Sequence, residues 1–245
     1  MIPKRLIYGN FGSMKLRPDV EELCMESWKT AFPKSEWEYV ELNEKTFDID
    51  RFGFTRSCYK NKQYSFVNDF ARTYELVSNG GVYIDLDQLM FRPLDENMFN
   101  DKMFIGSCMH PAIDTTYGDI TSQGLMGVER DNKLMTRLLD RLVALGETDA
   151  FKHDTKHVIV MDIMKDLLKN VEGVKRKNIK NMTAPIEYPD VTIYPFDYFT
   201  CTFWTTDFVE ITDRSYGIQL YGASWRRDDK KAKIYERVQN IFKKF

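Results

Sequence analysis

The chain has 245 residues, 43% of them hydrophobic and 14% aromatic, with a formal net charge of −2 at pH 7. That is enough apolar material for one sizeable domain with a full core, and the near-neutral balance argues against a general nucleic-acid binder. No apolar run approaches the roughly 20 residues of a membrane span. The four cysteines, Cys24, Cys58, Cys108 and Cys201, are scattered without a C-x-x-C or zinc spacing. They predict reduced thiols, with two remote disulfides as the alternative.

Residues 2–8 read as a first strand, with no apolar core of the length a secretion signal needs, so the expected location is the cytoplasm. Gly9-Asn10-Phe11-Gly12-Ser13 follows as a glycine-rich loop, and loops at strand ends of α/β sheets are where nucleotides bind. Residues 18–31 carry Val20, Leu23, Cys24, Ser27, Trp28 and Ala31 at helical spacing, and Pro33 stops that helix. Residues 37–42 alternate like a second strand, and 43–61 look irregular. Residues 65–79 form the clearest helix, with Phe66, Phe70, Tyr74 and Val77 as its buried stripe and Gly80 at its C-terminal cap. Asp69 and Arg72, three apart, share a face of it. Strands are expected at 82–87, 88–94, 102–107, 123–128, 191–195 and 216–221, and helices at 132–145 and 157–170. Residues 110–124 read as a polar loop over a cleft, 165–180 as an exposed lysine-rich loop or hairpin, and the aromatic run 196–204 as core. His110, His153 and His157 are too scattered for a metal triad. In residues 226–245, eight Lys or Arg face three acids, and Ile234, Val238, Ile241 and Phe245 line one side at helical spacing. That describes a basic amphipathic helix suited either to an anionic membrane surface or to packing on its own domain.

The stretch with most chemistry is Asn79-Gly80-Gly81-Val82-Tyr83-Ile84-Asp85-Leu86-Asp87. A helix stop and a turn lead into a buried strand with an acidic end. Side chains at i and i+2 of a strand share a face, so Asp85 and Asp87 would point one way, with Leu86 turned to the core. Two carboxylates held that close repel unless a cation lies between them. Hard oxygen ligands favour Mg2+ or Mn2+, and such ions commonly carry a diphosphate. The competing reading of an isolated D-x-D is a pair of solvated acids.

Ser65-Phe66-Val67-Asn68-Asp69-Phe70-Ala71-Arg72 followed by Gly80-Gly81-Val82-Tyr83-Ile84-Asp85-Leu86-Asp87 closely resembles the signature of D-x-D glycosyltransferases. The nearest group is the family of bacterial capsular-polysaccharide transferases and fungal Golgi mannosyltransferases, related to the large clostridial glucosylating toxins. Ile2-Pro3-Lys4 with Phe11-Gly12, Glu26-Ser27-Trp28 and the closing Tyr221-Gly222-Ala223-Ser224-Trp225 also resemble family blocks, in the family order. The resemblance implies an α/β single-domain nucleotide-sugar transferase of the GT-A type, a mixed central sheet with helices on both faces, over residues 1–225. It implies that Asp87 binds Mn2+ or Mg2+ directly, and that Asp85 contacts the donor and reaches the metal through water. Asp69 and Arg72 would hold the donor sugar, and Tyr8, Gly9 and Phe11 would lie near the base. Ser224 and Trp225 would close over the diphosphate. Where the family often has histidines, this chain has Tyr8 and Gln219-Leu220, so Gln219 or a water would complete the metal site.

The expected reaction is retaining transfer of a hexosyl unit from a nucleotide diphosphate sugar, a UDP-sugar foremost, to a glycan or lipid-linked oligosaccharide in polysaccharide biosynthesis. The basic tail would make the enzyme peripheral at the inner face of the membrane. Two other readings stay open: a sugar-nucleotide-binding protein without turnover, and a phosphohydrolase of the haloacid-dehalogenase kind. The latter's Asp-x-Asp usually lies near the N-terminus with Thr or Val two residues beyond, where this chain has Leu89.

Overall fold

The computed structural model describes residues 1–12, 18–113, 120–148, 159–203 and 208–221. In chain order the elements are β1 (Arg5–Gly9), α1 (Pro18–Ala31), β2 (Glu38–Leu42), α2 (Gly53–Lys60), α3 (Tyr64–Asn79), β3 (Gly81–Ile84), β4 (Gln88–Met90), β5 (Met103–Ser107) and β6 (Thr121–Val128). There follow α4 (Lys133–Gly146), α5 (Ile159–Lys169), α6 (Arg176–Lys180), β7 (Ile186–Tyr188), β8 (Val191–Tyr194), α7 (Phe196–Phe199) and β9 (Gly217–Gln219). Seven strands form one mixed sheet in the order β2-β1-β3-β6-β5-β8-β7, and β4 pairs with β9 in a separate ribbon. The β1–β2, β1–β3 and β5–β8 pairs are parallel, whereas β6 runs antiparallel to both β3 and β5.

Strand alternation sorts the core into two layers. Ile7, Tyr83, Ile105 and Met126 face a layer built with α2, α3, α4 and α5. Leu6, Val82, Ile84 and Phe104 face the other, where α1 supplies Val20, Cys24 and Trp28. Helices thus cover both faces of a mixed sheet, as the resemblance implied. The chain enters one face through α1 and the other through α2 and α3, so β2 and β3 flank β1 on opposite sides. The carboxyl ends of β1 and β3 therefore lie at a switch point of an α/β sheet, the crevice where ligands of such sheets bind.

Trp28 is fully buried. Removing an indole of this size from water contributes about 4–6 kcal/mol at about 25 cal/mol per Å². Its Nε1 also donates to the Gln88 carbonyl at 2.8 Å, and Ser27 Oγ accepts from the Met90 N–H at 3.0 Å. The Glu26-Ser27-Trp28 block of α1 is thereby what fixes β4, the strand leaving the D-x-D turn.

Several elements differ from the sequence reading. The stretch 43–61 contains α2, whose buried residues are only Phe54, Thr55 and Cys58. Eight residues with a glycine at the start and β-branched and aromatic members give little periodic signal. On α3 the buried residues are Val67, Phe70, Ala71, Arg72, Thr73 and Leu76, while Phe66, Tyr74 and Val77 are only partly covered. The burial arc is rotated because α2 and α4 pack along its flanks and the Arg72 side faces the sheet edge. Leu23 of the predicted α1 stripe stays 41% exposed. The short α6 falls within 165–180, where the sequence suggests an exposed loop or hairpin, and β7 carries no sequence expectation; the 196–203 aromatics are core as expected, with Phe196, Phe199 and Phe203 buried. The predicted tail helix at 226–245 lies outside the described residues, and among the described residues no helix is long and apolar enough to cross a membrane.

All four cysteines are free and buried. Burial pushes the Cys58 and Cys201 thiols up to about 12 and raises that of Cys24 further. Thiolate is the reactive form, so a thiol-reactive disulfide reagent at pH 8 should label the native protein only slowly and label all four positions after denaturation. Rapid stoichiometric labelling of the folded protein would contradict this packing.

Candidate active site

β3 ends at Ile84, one residue before the first aspartate. Asp85, Leu86 and Asp87 form a turn closed by the Gln88 N–H on the Asp85 carbonyl at 2.9 Å. The two carboxylates do not share a direction through strand alternation, as the sequence suggested. They are brought together by the turn and by what clamps it. The Asp85 N–H bonds the Gly124 carbonyl at 2.8 Å, and the Asp87 carbonyl accepts from the Leu220 N–H at 2.9 Å. Gln88 Nε2 bonds the Phe199 carbonyl at 2.9 Å. A turn tied to β6, β9 and α7 is set before any ligand arrives.

From the α3 side, Arg72 reaches under this turn. Its Nη2 lies 2.6 Å from Asp69 Oδ1 and donates to Gln123 Oε1 at 2.6 Å; its Nη1 lies 3.7 Å from Asp85 Oδ1. The guanidinium also sits 4.8 Å from the Tyr83 ring centroid. Tyr83 donates to Asp85 Oδ1 at 2.7 Å and accepts from Asn68 Nδ2 at 2.8 Å. Asp69, Arg72 and Asp85, singled out from the sequence, therefore form one connected network. Burial pushes the Asp69 and Asp85 carboxyls above their ordinary value, and Arg72 offsets part of that rise. Burial opposes the charge of Arg72, but Asp69, Tyr83 and Asp85 more than compensate and keep it a cation.

From the opposite side comes Gln219 on β9. Its Nε2 donates to Asp87 Oδ1 at 2.7 Å and lies 3.5 Å from Asp85 Oδ2, so an amide NH2 stands where two carboxylates would share a cation. Gln219 Oε1 is buried and has no hydrogen-bond partner among the described residues. Rotating the amide by half a turn would add that oxygen to the two carboxylates. Gly124 gives it the space, since a Cβ there would lie 2.3 Å from Gln219 Oε1. Three oxygen donors, with remaining positions left to water and substrate phosphate, fit Mg2+ or Mn2+. Among the described residues, no group of three or more His, Cys, Asp or Glu side chains is placed for a metal. Any cation here must accordingly draw on the amide, water or a ligand. Of the six buried side-chain polar atoms without a partner among the described residues, four lie in this cluster: Asn68 Oδ1, Arg72 Nε, Gln123 Nε2 and Gln219 Oε1. Such atoms are costly and concentrate where a ligand or ion is meant to meet them.

The remaining predicted residues fall differently. Tyr8 points to the α1 face, 5.7 Å from Trp28 and 6.5 Å from Tyr39 between ring centroids, and burial raises its phenol pKa. Gly9 ends β1, and a Cβ on it would lie 1.8 Å from Asn68 Oδ1, so its contribution is to admit Asn68. The Phe11 ring is fully buried and edge-on to Phe47, 6.2 Å between centroids, so it is the Phe11 backbone that borders the loop after β1. Ser224 and Trp225 lie outside the described residues. Three participants were missed. Tyr83 was legible as i−2 to Asp85 on β3, Asn68 as i−4 to Arg72 on α3, and Gln123 as the polar interruption of an apolar strand.

Residues 18–105, which include α1, α3 and the D-x-D turn, match the family model described as glycosyltransferase sugar-binding region containing DXD motif. No curated protein matches the chain in sequence. Among solved structures, the PaToxG glycosyltransferase superposes with a TM-score of 0.47 at 12% identity, over 68% of this chain and 68% of that one. A glycosyltransferase involved in the glycosylation of the major capsid of PBCV-1 gives 0.44 at 10% identity, over 94% and 98%. The apo-form glycosyltransferase GlyE of Streptococcus pneumoniae TIGR4 gives 0.39 at 13% identity, over 69% of this chain and 44% of that chain. At such scores these likenesses decide nothing about this chain's activity.

Removing the guanidinium would leave Asp69 and Asp85 covered and without their cation. Arg72→Leu should lower the unfolding free energy by about 3 kcal/mol, the low end for a broken buried pair because Asp85 keeps some solvent contact. Urea melts would measure it, and a loss below about 1 kcal/mol would mean the network is not held by Arg72.

Proposed function

From a chain whose residues 18–105 carry the glycosyltransferase sugar-binding region with its DXD motif, we infer a metal-dependent hexosyltransferase. It takes its sugar from a nucleotide diphosphate donor, a UDP-sugar foremost. The acceptor is a hydroxyl of a glycan or lipid-linked oligosaccharide, and the reaction retains the anomeric configuration. The observation that carries this is the convergence of Arg72, Asp69, Asp85 and Asp87 with the Gln219 amide at the end of β3.

In this reading Asp85, Asp87 and the turned Gln219 amide hold Mn2+ or Mg2+. When bound, that ion supplies Lewis-acid stabilisation of negative charge on the departing diphosphate. Asp69 accepts donor-sugar hydroxyls, and Arg72 fixes both carboxylates while contributing a preorganised positive field to the same charge. Tyr83 and Asn68 hold the Asp85 carboxylate in one orientation. Tyr8, backed by the buried Trp28 ring and flanked by Tyr39, offers the aromatic surface next to the base, and the backbone of residues 9–11 borders it. The resemblance of the closing block assigns Ser224 and Trp225 to the diphosphate side. The bond from the anomeric carbon to the phosphate oxygen breaks and its electron pair leaves with the diphosphate. The acceptor oxygen bonds the same carbon from the same face, and its proton passes to the departing phosphate oxygen. Positive character at the sugar resembles that in glycoside hydrolysis. The basic pattern at 226–245 supports a peripheral position on an anionic membrane surface.

Donor hydrolysis measured over UDP-glucose, UDP-galactose, UDP-N-acetylhexosamines and GDP-mannose with Mn2+ tests the reading. One donor should be consumed at a rate that Asp87→Ala and Asp85→Asn lower by about 100-fold or more, the scale of lost charge stabilisation. Hydrolysis of simple phosphomonoesters without preference for nucleotide sugars would contradict it, as would turnover unaffected by chelation and by both substitutions.

A further inference from the structure

A second cavity opens at the same edge of the sheet. It holds about 160 Å³ and is lined by residues of the loop after β5 and of the segment from α6 to Arg214, among them Met109, His110, Phe196, Asp197, Glu210 and Arg214. β5 and β3 both run antiparallel to β6, and β8 runs parallel to β5, so the carboxyl ends of β3, β5 and β8 lie together. Two strand spacings separate β5 from β3, about 10 Å at about 4.8 Å each. The cavity therefore lies at the same end of the sheet as the D-x-D turn, and its lining includes none of Asp69, Arg72, Asp85, Asp87 or Gln219.

Its chemistry is specific and fixed. The Ala112 N–H donates to His110 Nδ1 at 3.1 Å, which leaves the ring proton on Nε2, 3.0 Å from Glu210 Oε2. The imidazole lies 5.4 Å from the Phe196 ring and 4.8 Å from the Phe208 ring between centroids, so the histidine extends an aromatic wall. Opposite it, the Asp197 carboxylate is 4% exposed and accepts from Thr212 Oγ1 at 2.7 Å and from Arg214 Nε and Nη2 at 3.1 and 2.7 Å. Charges in the lining cancel: Glu210 and Asp197 against Arg214 and Lys180. A neutral field does not select an anion such as phosphate or a carboxylate. Paired planar donors and acceptors beside an aromatic face suit a ring of vicinal hydroxyls, each both donor and acceptor, with an apolar C–H face. The cavity is large enough to take a single sugar ring.

The cavity is also wired to the D-x-D turn. The Asp197 carbonyl accepts from Ser215 Oγ at 2.6 Å, and three residues on, the Thr200 carbonyl accepts from the Gln219 N–H at 3.1 Å. One short helix thus carries the cavity floor at one end and positions Gln219 at the other. We propose that this His110–Glu210/Asp197–Arg214 cavity is a binding site for a single neutral pyranose. Resting on the transferase reading above, that pyranose is the acceptor's terminal sugar, presented to the donor from the β5–β8 side.

The test is binding of methyl hexosides to the full chain, followed by ligand-observed NMR over glucose, galactose, mannose and N-acetylglucosamine glycosides. At least one should bind, and Glu210→Ala should weaken it by at least tenfold while Asp87→Ala leaves it within a factor of two. Glu210→Gln, which keeps the side-chain size, gives the same readout if the alanine variant fails to fold. No hexoside bound by the wild type, or binding lost in Asp87→Ala but kept in the Glu210 variants, would overturn the site. Hexoside binding in a protein that consumes no nucleotide sugar would uphold the cavity and refute the transferase reading, so the two fail separately.

Discussion

The arrangement depends on one buried cation. Arg72 sits on α3 beneath a turn that carries two acids, within reach of Asp69 and Asp85 and under the Tyr83 ring. Burial alone drives Asp69 and Asp85 toward their neutral forms, and the guanidinium opposes that drive. A charge balance of this kind stabilises the fold little beyond its own desolvation cost. What it yields is a fixed set of oxygens aimed at the open end of a sheet.

The rest of the fold can be understood as the support for that set. α1 ties β4 through Ser27 and Trp28, β6 ties Asp85 through the Gly124 carbonyl, and β9 ties Asp87 through Leu220. Side chains from both faces of the sheet meet at the turn: Asp69 and Arg72 from the α3 side, Gln219 from the ribbon side. The Gln219 amide occupies the gap between Asp85 and Asp87 with its nitrogen and leaves its oxygen unpartnered. Gly124 leaves the room beside that oxygen, since a Cβ there would lie 2.3 Å from it.

Much of this was legible in the sequence because its signals are local. Helix α1 follows from its periodicity, and the end of α3 at Gly80 follows from cap chemistry, the Gly80 N–H bonding the Leu76 carbonyl at 2.9 Å. The D-x-D and its upstream Asp69–Arg72 pair were visible as motifs. What could not be read was set by contacts distant in the chain. The strand ends before Asp85, so the convergence of the two acids comes from clamps on β6 and β9 rather than from alternation. The burial of the Phe11 ring against Phe47 and the α3 layer also depends on residues far along the chain. The α2 helix has too short an apolar face to announce itself. The Glu210 and Arg214 side chains carry no motif at all, and only the fold places them beside His110 and Asp197.

The proposed transfer requires Asp85, Asp87 and Gln219 to grip a divalent ion together with a diphosphate. Manganese binding followed by electron paramagnetic resonance, with and without UDP, addresses that requirement without depending on turnover. The account predicts that UDP tightens Mn2+ binding at least tenfold in the wild type and that Asp87→Ala abolishes the tightening. Mn2+ affinity indifferent to UDP, or retained in full by Asp87→Ala, would contradict it.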